Sequence, residues 1–171
     1  MAAKMILSAI GSDRPGLTQA LADAVYDAGG NWLESHLSRL GGKYVGAVLV
    51  EIDPARLPAL EEAIRAVDAG GLHVSVLPAG DATDAPAGET LRIELVGQDR
   101  PGIVREVTRV LAALGVNIED FDTGTEHGSW SGEPLFRAAA RLTLPTSLAA
   151  DAVRDALEAI SGEIMVDFTI S

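Results

Sequence analysis

The chain carries the segment Gly11-Ser12-Asp13-Arg14-Pro15-Gly16-Leu17 and repeats it as Gly97-Gln98-Asp99-Arg100-Pro101-Gly102-Ile103. Outward from these segments, residues 5–34 align without a gap onto residues 91–120. A second motif, in which one residue separates a glycine from an asparagine, recurs at the same distance from the first. Because two motifs at one fixed spacing rarely recur by chance, we interpret the chain as an internal duplication.

Each copy has the hydrophobic pattern of a strand, a helix, two strands, a helix and a strand. In the second copy, Leu91, Ile93 and Leu95 alternate with polar residues as in a half-buried strand, and Ile103 and Val107 lie on one apolar helical face. Two such units predict the α+β class, with two ferredoxin-like βαββαβ domains whose antiparallel sheets carry both helices on one face. This fold by itself names no function.

Residues 78–88 are small and include two prolines and two glycines, which is typical of a linker. We therefore predict a first domain at residues 1–77 and a second at residues 89–171. Each domain is small and has exposed sheet edges. We expect the two copies to pack against each other or against a second chain, as a homo-oligomer.

Local signals refine these domains. The third strand of the first copy, Tyr44–Ile52, is almost entirely apolar, which predicts that both of its faces are covered. Asp53 and Pro54 are a good N-cap and first-turn pair for the helix that follows. Gly115 is expected to end a helix in the left-handed conformation.

Composition limits the possible functions. The 171 residues carry a net charge of −12 and include no cysteine, so disulfides, thiolate metal sites and thiol nucleophiles are excluded. Such an acidic surface is unsuited to direct binding of nucleic acid. The sequence has no signal-peptide pattern and no membrane-spanning apolar run, and we expect a cytoplasmic protein without a membrane partner.

The repeated segment lies between the first strand and the first helix of each copy. A proline and a glycine at a helix start leave backbone N–H groups accessible, and these donors favour a carboxylate. The alternative is a capped helix start, with Asp13 or Asp99 as N-cap and the proline in the first turn. The two interpretations are compatible, and the recurrence favours a binding role.

The Asp-Arg-Pro-Gly loop, followed by Gly-x-Asn, resembles the ACT domain, and the βαββαβ order agrees with that family's fold. Two such domains over residues 4–77 and 89–171 resemble the glycine cleavage system transcriptional repressor family and its ACT-only relatives. In amino-acid-binding ACT domains the ligand lies where this loop faces a partner domain. The resemblance implies these ligand-binding residues: Ser12, Asp13, Arg14, Gly16, Leu17, Asn31, Gln98, Asp99, Arg100, Gly102, Ile103 and Asn117.

Asn31 and Asn117 suit a zwitterion, because an amide accepts from an ammonium and donates to a carboxylate. They also suit a turn after the preceding glycine, and both interpretations stay open. A longer connection at residues 126–134 distinguishes the second copy and includes Trp130. Its Gly-Ser-Trp-Ser-Gly run resembles a nucleophile elbow only superficially, because tryptophan holds the central position.

No paired metal-ligand spacing, phosphate loop or catalytic triad is evident, so we predict no metal, no cofactor and no enzymatic activity. The hypothesis is a regulatory protein that binds a small amino acid, glycine- or serine-like, at ACT domain interfaces. It would signal through a protein partner and take part in transcriptional regulation of amino-acid metabolism. The alternative is an assembly module without a ligand.

Overall fold

The computed structural model describes residues 1–80, 88–127, 133–160, 162 and 164–170. The predicted linker at residues 78–88 lies largely outside the described residues. The chain divides into two compact units, Met1–Ala82 and Thr83–Ser171.

The first unit contains four strands, two α-helices and one short 3-10 helix. In chain order these elements are β1 (Ala3–Ser12), α1 (Leu17–Asp27), β2 (Asn31–Leu40), β3 (Lys43–Ile52), the 3-10 helix (Pro54–Arg56), α2 (Leu57–Ala69) and β4 (Leu72–Pro78).

The second unit repeats this order without the 3-10 helix. Its elements are β5 (Glu89–Gln98), α3 (Ile103–Ala113), β6 (Asn117–His127), β7 (Pro134–Leu144), α4 (Ala150–Glu158) and β8 (Met165–Ile170).

Both sheets are antiparallel, with strand orders β2-β3-β1-β4 and β6-β7-β5-β8. The two central strands of each sheet alternate, so that every second side chain is buried beneath the two helices of its unit. In the first unit Leu7, Val48, Leu21 and Leu60 are fully buried in one cluster. The predicted α+β class and ferredoxin-like arrangement are confirmed.

Several local signals also have the expected effect. Gly115 follows α3 with a φ of +70°, the left-handed conformation that was predicted to end this helix. Asp53 accepts a hydrogen bond from the Ala55 N–H at 2.9 Å, so it is an N-cap, although it caps the 3-10 helix before α2 rather than α2 itself. Strand bounds extend slightly beyond the hydrophobic patterns, because backbone pairing with a neighbour continues where alternation ends.

The expectation that β3 is covered on both faces is wrong within its own unit. Val48 and Val50 are buried beneath the helices, whereas Val45 and Leu49 are only partly buried on the opposite face. We call this helix-free side of a sheet its open face. The apolar run in β3 therefore reflects the apolar side chains that this strand contributes to the open face, rather than a second layer of the same unit.

The two open faces differ at equivalent positions. In the first sheet Ile6 lies opposite Leu49 across β1 and β3, whereas in the second sheet Arg92 lies opposite Arg141 across β5 and β7. Both sheets have the same fold, so the fold itself does not require apolar residues at these positions in one sheet and arginines in the other.

Candidate ligand site at the repeated loops

The loop before the first helix has the same backbone in both units. Gly16 and Gly102 have φ values of +91° and +90°, and the helices α1 and α3 begin at the next residue. A side chain disfavours this left-handed conformation, so glycine is required here by backbone geometry. Steric crowding by neighbouring atoms does not explain the glycine, because a Cβ at either position would meet no atom within 4 Å.

The capped-helix interpretation of the loop is wrong. Glycine, not Asp13 or Asp99, is the N-cap residue of each helix, and no side chain caps the helix start. Pro15 and Pro101 precede the cap and lie outside the first turn. The aspartates are therefore available for other contacts, and the two copies use them differently.

In the second unit the loop borders a cavity of about 410 Å³ between the start of α3 and the end of β6. This volume lies within the range of small-molecule sites, about 300–1,000 Å³. Its walls combine a helix start, hydroxyl groups, a carboxylate and apolar side chains. The lining residues are Asp99, Arg100, Gly102, Ile103, Val104, Thr123, Gly124, Thr125 and Phe136.

The two charged loop residues of the second unit are in different states. Arg100 donates two hydrogen bonds to the carboxylate of Glu106 on α3, from Nη1 at 2.9 Å and from Nη2 at 2.6 Å. These bonds hold the pKa of Glu106 below its ordinary value, and Arg105 lowers the pKa further. Asp99 is partly buried, and its carboxylate has no hydrogen-bond or ion-pair partner in the part of the chain that the structure describes. The cavity thus contains the Asp99 carboxylate and an arginine, Arg100, whose positive charge is compensated by Glu106.

The equivalent loop of the first unit is bridged by side chains. The Asp13 carboxylate accepts from Nε of Arg39 on β2 at 2.8 Å, and the hydroxyls of Thr18 and Tyr44 are 2.5 Å apart. Arg14 instead lies near Gly70 at the end of α2, where it borders a groove between α1 and α2. The two arginines of the repeat therefore have different surroundings.

The other predicted loop residues contribute in different ways. Leu17 and Ile103 are buried in their hydrophobic cores, and of these two only Ile103 also lines the cavity. Ser12 is exposed at the end of β1, where its backbone N–H donates to the Gly71 carbonyl at 3.3 Å. Gln98 donates from Nε2 to Glu133 at 3.0 Å, beside the loop rather than in the cavity.

The structure does not bring Asn31 or Asn117 to the loop of its own unit. Asn31 begins β2 opposite Glu51, whereas the loop follows Ser12, which pairs with Lys43 at the other end of the sheet. Eight residues of strand separate these pairings, or roughly 26 Å at about 3.3 Å per residue. Neither asparagine has a positive φ, so the turn interpretation in the left-handed conformation is wrong as well.

Sequence reasoning missed several cavity residues, Val104, Thr123, Thr125 and Phe136, as well as Glu106, which binds Arg100 beside the cavity. The available signal was the pair of threonines on either side of Gly124, since alternation in a strand places both hydroxyl groups on one face. Thr123, Thr125 and Phe136 lie beyond the ungapped part of the repeat, whereas Val104 and Glu106 correspond to Thr18 and Ala20 within it.

The 126–134 connection is described at Glu126, His127, Glu133 and Pro134. Trp130 and the surrounding Gly-Ser-Trp-Ser-Gly run lie outside the described residues. Among the residues described, no group of three or more acidic, histidine or cysteine side chains could hold a metal ion. Within the same residues, no helix has the length and apolar character needed to span a membrane.

These features define the class of the protein as a tandem of duplicated ferredoxin-like domains with a loop cavity in the second copy. ACT-domain family models match residues 3–76 and residues 91–160. The chain belongs to the ACT-domain family and contains two ACT domains in tandem. This membership indicates a regulatory rather than a catalytic protein, in a family of amino-acid-sensing domains.

Solved structures share the whole tandem fold. A protein of unknown function from Galdieria sulphuraria has a TM-score of 0.80 and 28% identity, with 100% of this chain and 99% of that chain covered. A protein provisionally assigned as a glycine cleavage system transcriptional repressor has a TM-score of 0.71 and 15% identity, with the same coverage. No curated protein sequence matches the chain at a significant level.

Proposed function

We propose that this protein is a non-catalytic regulator that binds a small free amino acid, glycine- or serine-like, at an ACT loop. The observation that carries the proposal is the cavity of about 410 Å³ at the start of α3. It combines groups that could bind both charges of an amino acid and lies at the loop that the family resemblance implies.

Each part of a zwitterion has a counterpart in this cavity. The Ile103 N–H donates to the Arg100 carbonyl at 3.3 Å, but the next two N–H groups of α3, those of Val104 and Arg105, precede the first intrahelical bond. The helix dipole adds partial positive charge, so this end suits the α-carboxylate. The Asp99 carboxylate suits the α-ammonium group. Thr123 and Thr125 supply hydroxyls for a short polar side chain, and Phe136 supplies an apolar wall.

A regulatory effect would arise because the ligand contacts two elements, α3 and β6. A ligand held between α3 and β6 would favour the arrangement in which these elements lie close together, and a partner that distinguishes the arrangements would respond. Similarity to the provisionally assigned repressor extends the proposal to transcriptional control of glycine or amino-acid metabolism. A protein partner would carry the signal, because a net charge of −12 disfavours direct DNA contact.

Thermal unfolding tests the proposal on the intact chain against each of the twenty amino acids. Glycine, L-serine or a close relative should raise the melting temperature, because a ligand at 100 times its Kd stabilises the folded state by about 2.7 kcal/mol. Asp99→Asn keeps the shape but removes the charge, and should weaken binding by about 10-fold or more. If no amino acid changes the melting temperature, the proposal is wrong.

The apolar open face of the first sheet favours assembly as a second function. Leu77, Ile6 and Leu49 form one apolar row across the sheet, in which Leu77 is 55% exposed. Ile10, which is 53% exposed, lies beside Val45 in a second row, and Ser75 and Ser8 lie between the two rows. The occupant that fits is a second copy of this chain, because the open face of the second domain carries Arg92 and Arg141 instead. The same apolar face of another molecule is self-complementary around a twofold axis.

A further inference from the structure

We infer that only the second copy of the loop is a ligand site, so that each chain binds one amino acid rather than two. This inference rests on the proposed function and specifies where it resides. It comes from a position-by-position comparison of the two clefts.

The equivalent positions are given by strand register. Gly11 pairs with Tyr44 and Gly97 pairs with Phe136, while the next strand places Arg39 opposite Tyr44 and Thr125 opposite Phe136. Tyr44 thus corresponds to Phe136 and Arg39 to Thr125. In the ungapped part of the repeat, Thr18 corresponds to Val104.

Three of these exchanges close the first cleft. Arg39 reaches the Asp13 carboxylate, so the group that would bind an ammonium is already paired. The Tyr44 hydroxyl contacts Thr18 across the cleft, whereas Phe136 and Val104 have no hydroxyl with which to make this bond. Opening both contacts would weaken binding at the first loop by on the order of 10- to 30-fold.

The size of the side chains also disfavours a ligand at the first loop. Leu37 occupies the position of Thr123 and packs against the first hydrophobic core together with Tyr44. A ligand at the first loop would have to displace a packed leucine as well as two polar contacts. In the second copy the smaller side chains leave the described cavity open.

The ion pair between Arg100 in the loop and Glu106 on α3 is a further difference between the two copies. Glu106 binds Arg100 in the second copy, whereas the corresponding residue of the first copy is Ala20. The cavity's own arginine is thereby neutralised, which leaves the helix start as the carboxylate site and Asp99 as the ammonium site. The second copy is thus arranged for a zwitterion rather than for a simple anion.

A matched pair of substitutions tests this inference, with glycine and L-serine each titrated into the full chain by calorimetry. The wild type should bind one equivalent per chain. Thr125→Arg recreates the Arg39–Asp13 contact beside Asp99 and should raise the Kd by about tenfold or more. The matched control, Arg39→Thr, should leave the affinity at the second loop unchanged.

A second variant, Val104→Thr with Phe136→Tyr, recreates the hydroxyl contact and should also weaken binding, with circular dichroism confirming the fold of each variant. Two equivalents per wild-type chain, or undiminished affinity in both second-copy variants, would overturn the inference while leaving the proposed function intact. Loss of binding in Arg39→Thr would also overturn it. If neither amino acid binds the wild type, the proposed function fails and the inference fails with it.

Discussion

Gly16 and Gly102 are required by the left-handed backbone conformation before each helix, rather than by the need to let a ligand approach the backbone. From the sequence alone, the glycine at the helix start is expected to keep backbone N–H groups accessible to a ligand. The φ of +90° changes that expectation, because any L side chain at this position strains the backbone.

Gly102→Ala should therefore destabilise the protein by about 1–2 kcal/mol, the cost of a left-handed conformation for a residue with a Cβ. Chemical denaturation of both proteins measures this cost. Gly124→Ala is the control, because Gly124 lacks a positive φ and its Cβ would meet no atom within 4 Å. Equal stability of Gly102→Ala and the wild type would show that the loop readily adopts another conformation.

Glu106 connects the loop to helix α3 and makes stability depend on pH. Its pKa is lowered in the folded state, mainly by the hydrogen bond from Arg100, relative to an ordinary value of 4.5. A carboxyl group with a lowered pKa stabilises the fold above its ordinary pKa, and this contribution is lost as the pH falls through the folded-state pKa.

Glu106→Gln should consequently be less stable than the wild type at pH 7, and the difference should shrink towards zero below pH 4.5. Urea denaturation at several pH values from neutral to acidic measures it. Glu158→Gln, at an exposed position on α4, serves as the comparison variant for the substitution itself. A Glu106→Gln deficit that stays constant with pH would mean that the ion pair contributes nothing.

At the scale of elements, β2 and β6 account for most of the difference between the two copies. Both strands carry a bulge at the same place, between Trp32 and Glu34 and between Ile118 and Asp120, so their registers match. What differs is the side chains near the loop, where β2 contributes Arg39 and β6 contributes Thr125. The same strand register thus accompanies a bridged cleft in one copy and an open cavity in the other.

The open face of the first sheet also belongs to this scale. If it joins two copies, Leu49→Arg should disrupt the dimer, because it places at this position the arginine that the second sheet has at Arg141. The loss of a buried leucine in both subunits, about 1.5–3 kcal/mol each, predicts roughly 100-fold weaker association or more.

Analytical ultracentrifugation over a range of concentrations measures this association. Arg92→Ala alters the open face of the second sheet instead and should leave the association constant unchanged. A monomeric wild type, or a Leu49→Arg variant that dimerises as well as the wild type, would contradict assembly through this face.

For the whole molecule, duplication separates two roles that a single ACT domain would have to combine. The first domain presents an apolar open face and a bridged loop, whereas the second presents a charged open face and an open cavity. One copy is thus suited to assembly and the other to ligand binding. A regulator of this kind can bind one ligand while keeping a constant assembly surface.

The sequence was sufficient for the duplication, the element order and the family, because these depend on local signals. Alternation in Leu91–Leu95, the helical spacing from Ile103 and the left-handed position of Gly115 each act within a few residues. Backbone hydrogen bonding and burial respond to the same short periods. The fold could therefore be predicted from the chain without knowledge of its contacts.

The candidate site could be predicted only in part. The Asp-Arg-Pro-Gly segment indicates where it lies, but not that Asp13 is paired and Asp99 lacks a described partner. That difference depends on Arg39 and Thr125, which are brought to the loop by strand register across the sheet. Asn31 shows the converse, since it is close to the loop in sequence yet lies at the other end of the sheet. Sequence patterns indicate which face of a strand or helix a residue occupies. Pairing between strands determines which side chains distant in sequence come into contact, and ligand binding depends on those contacts.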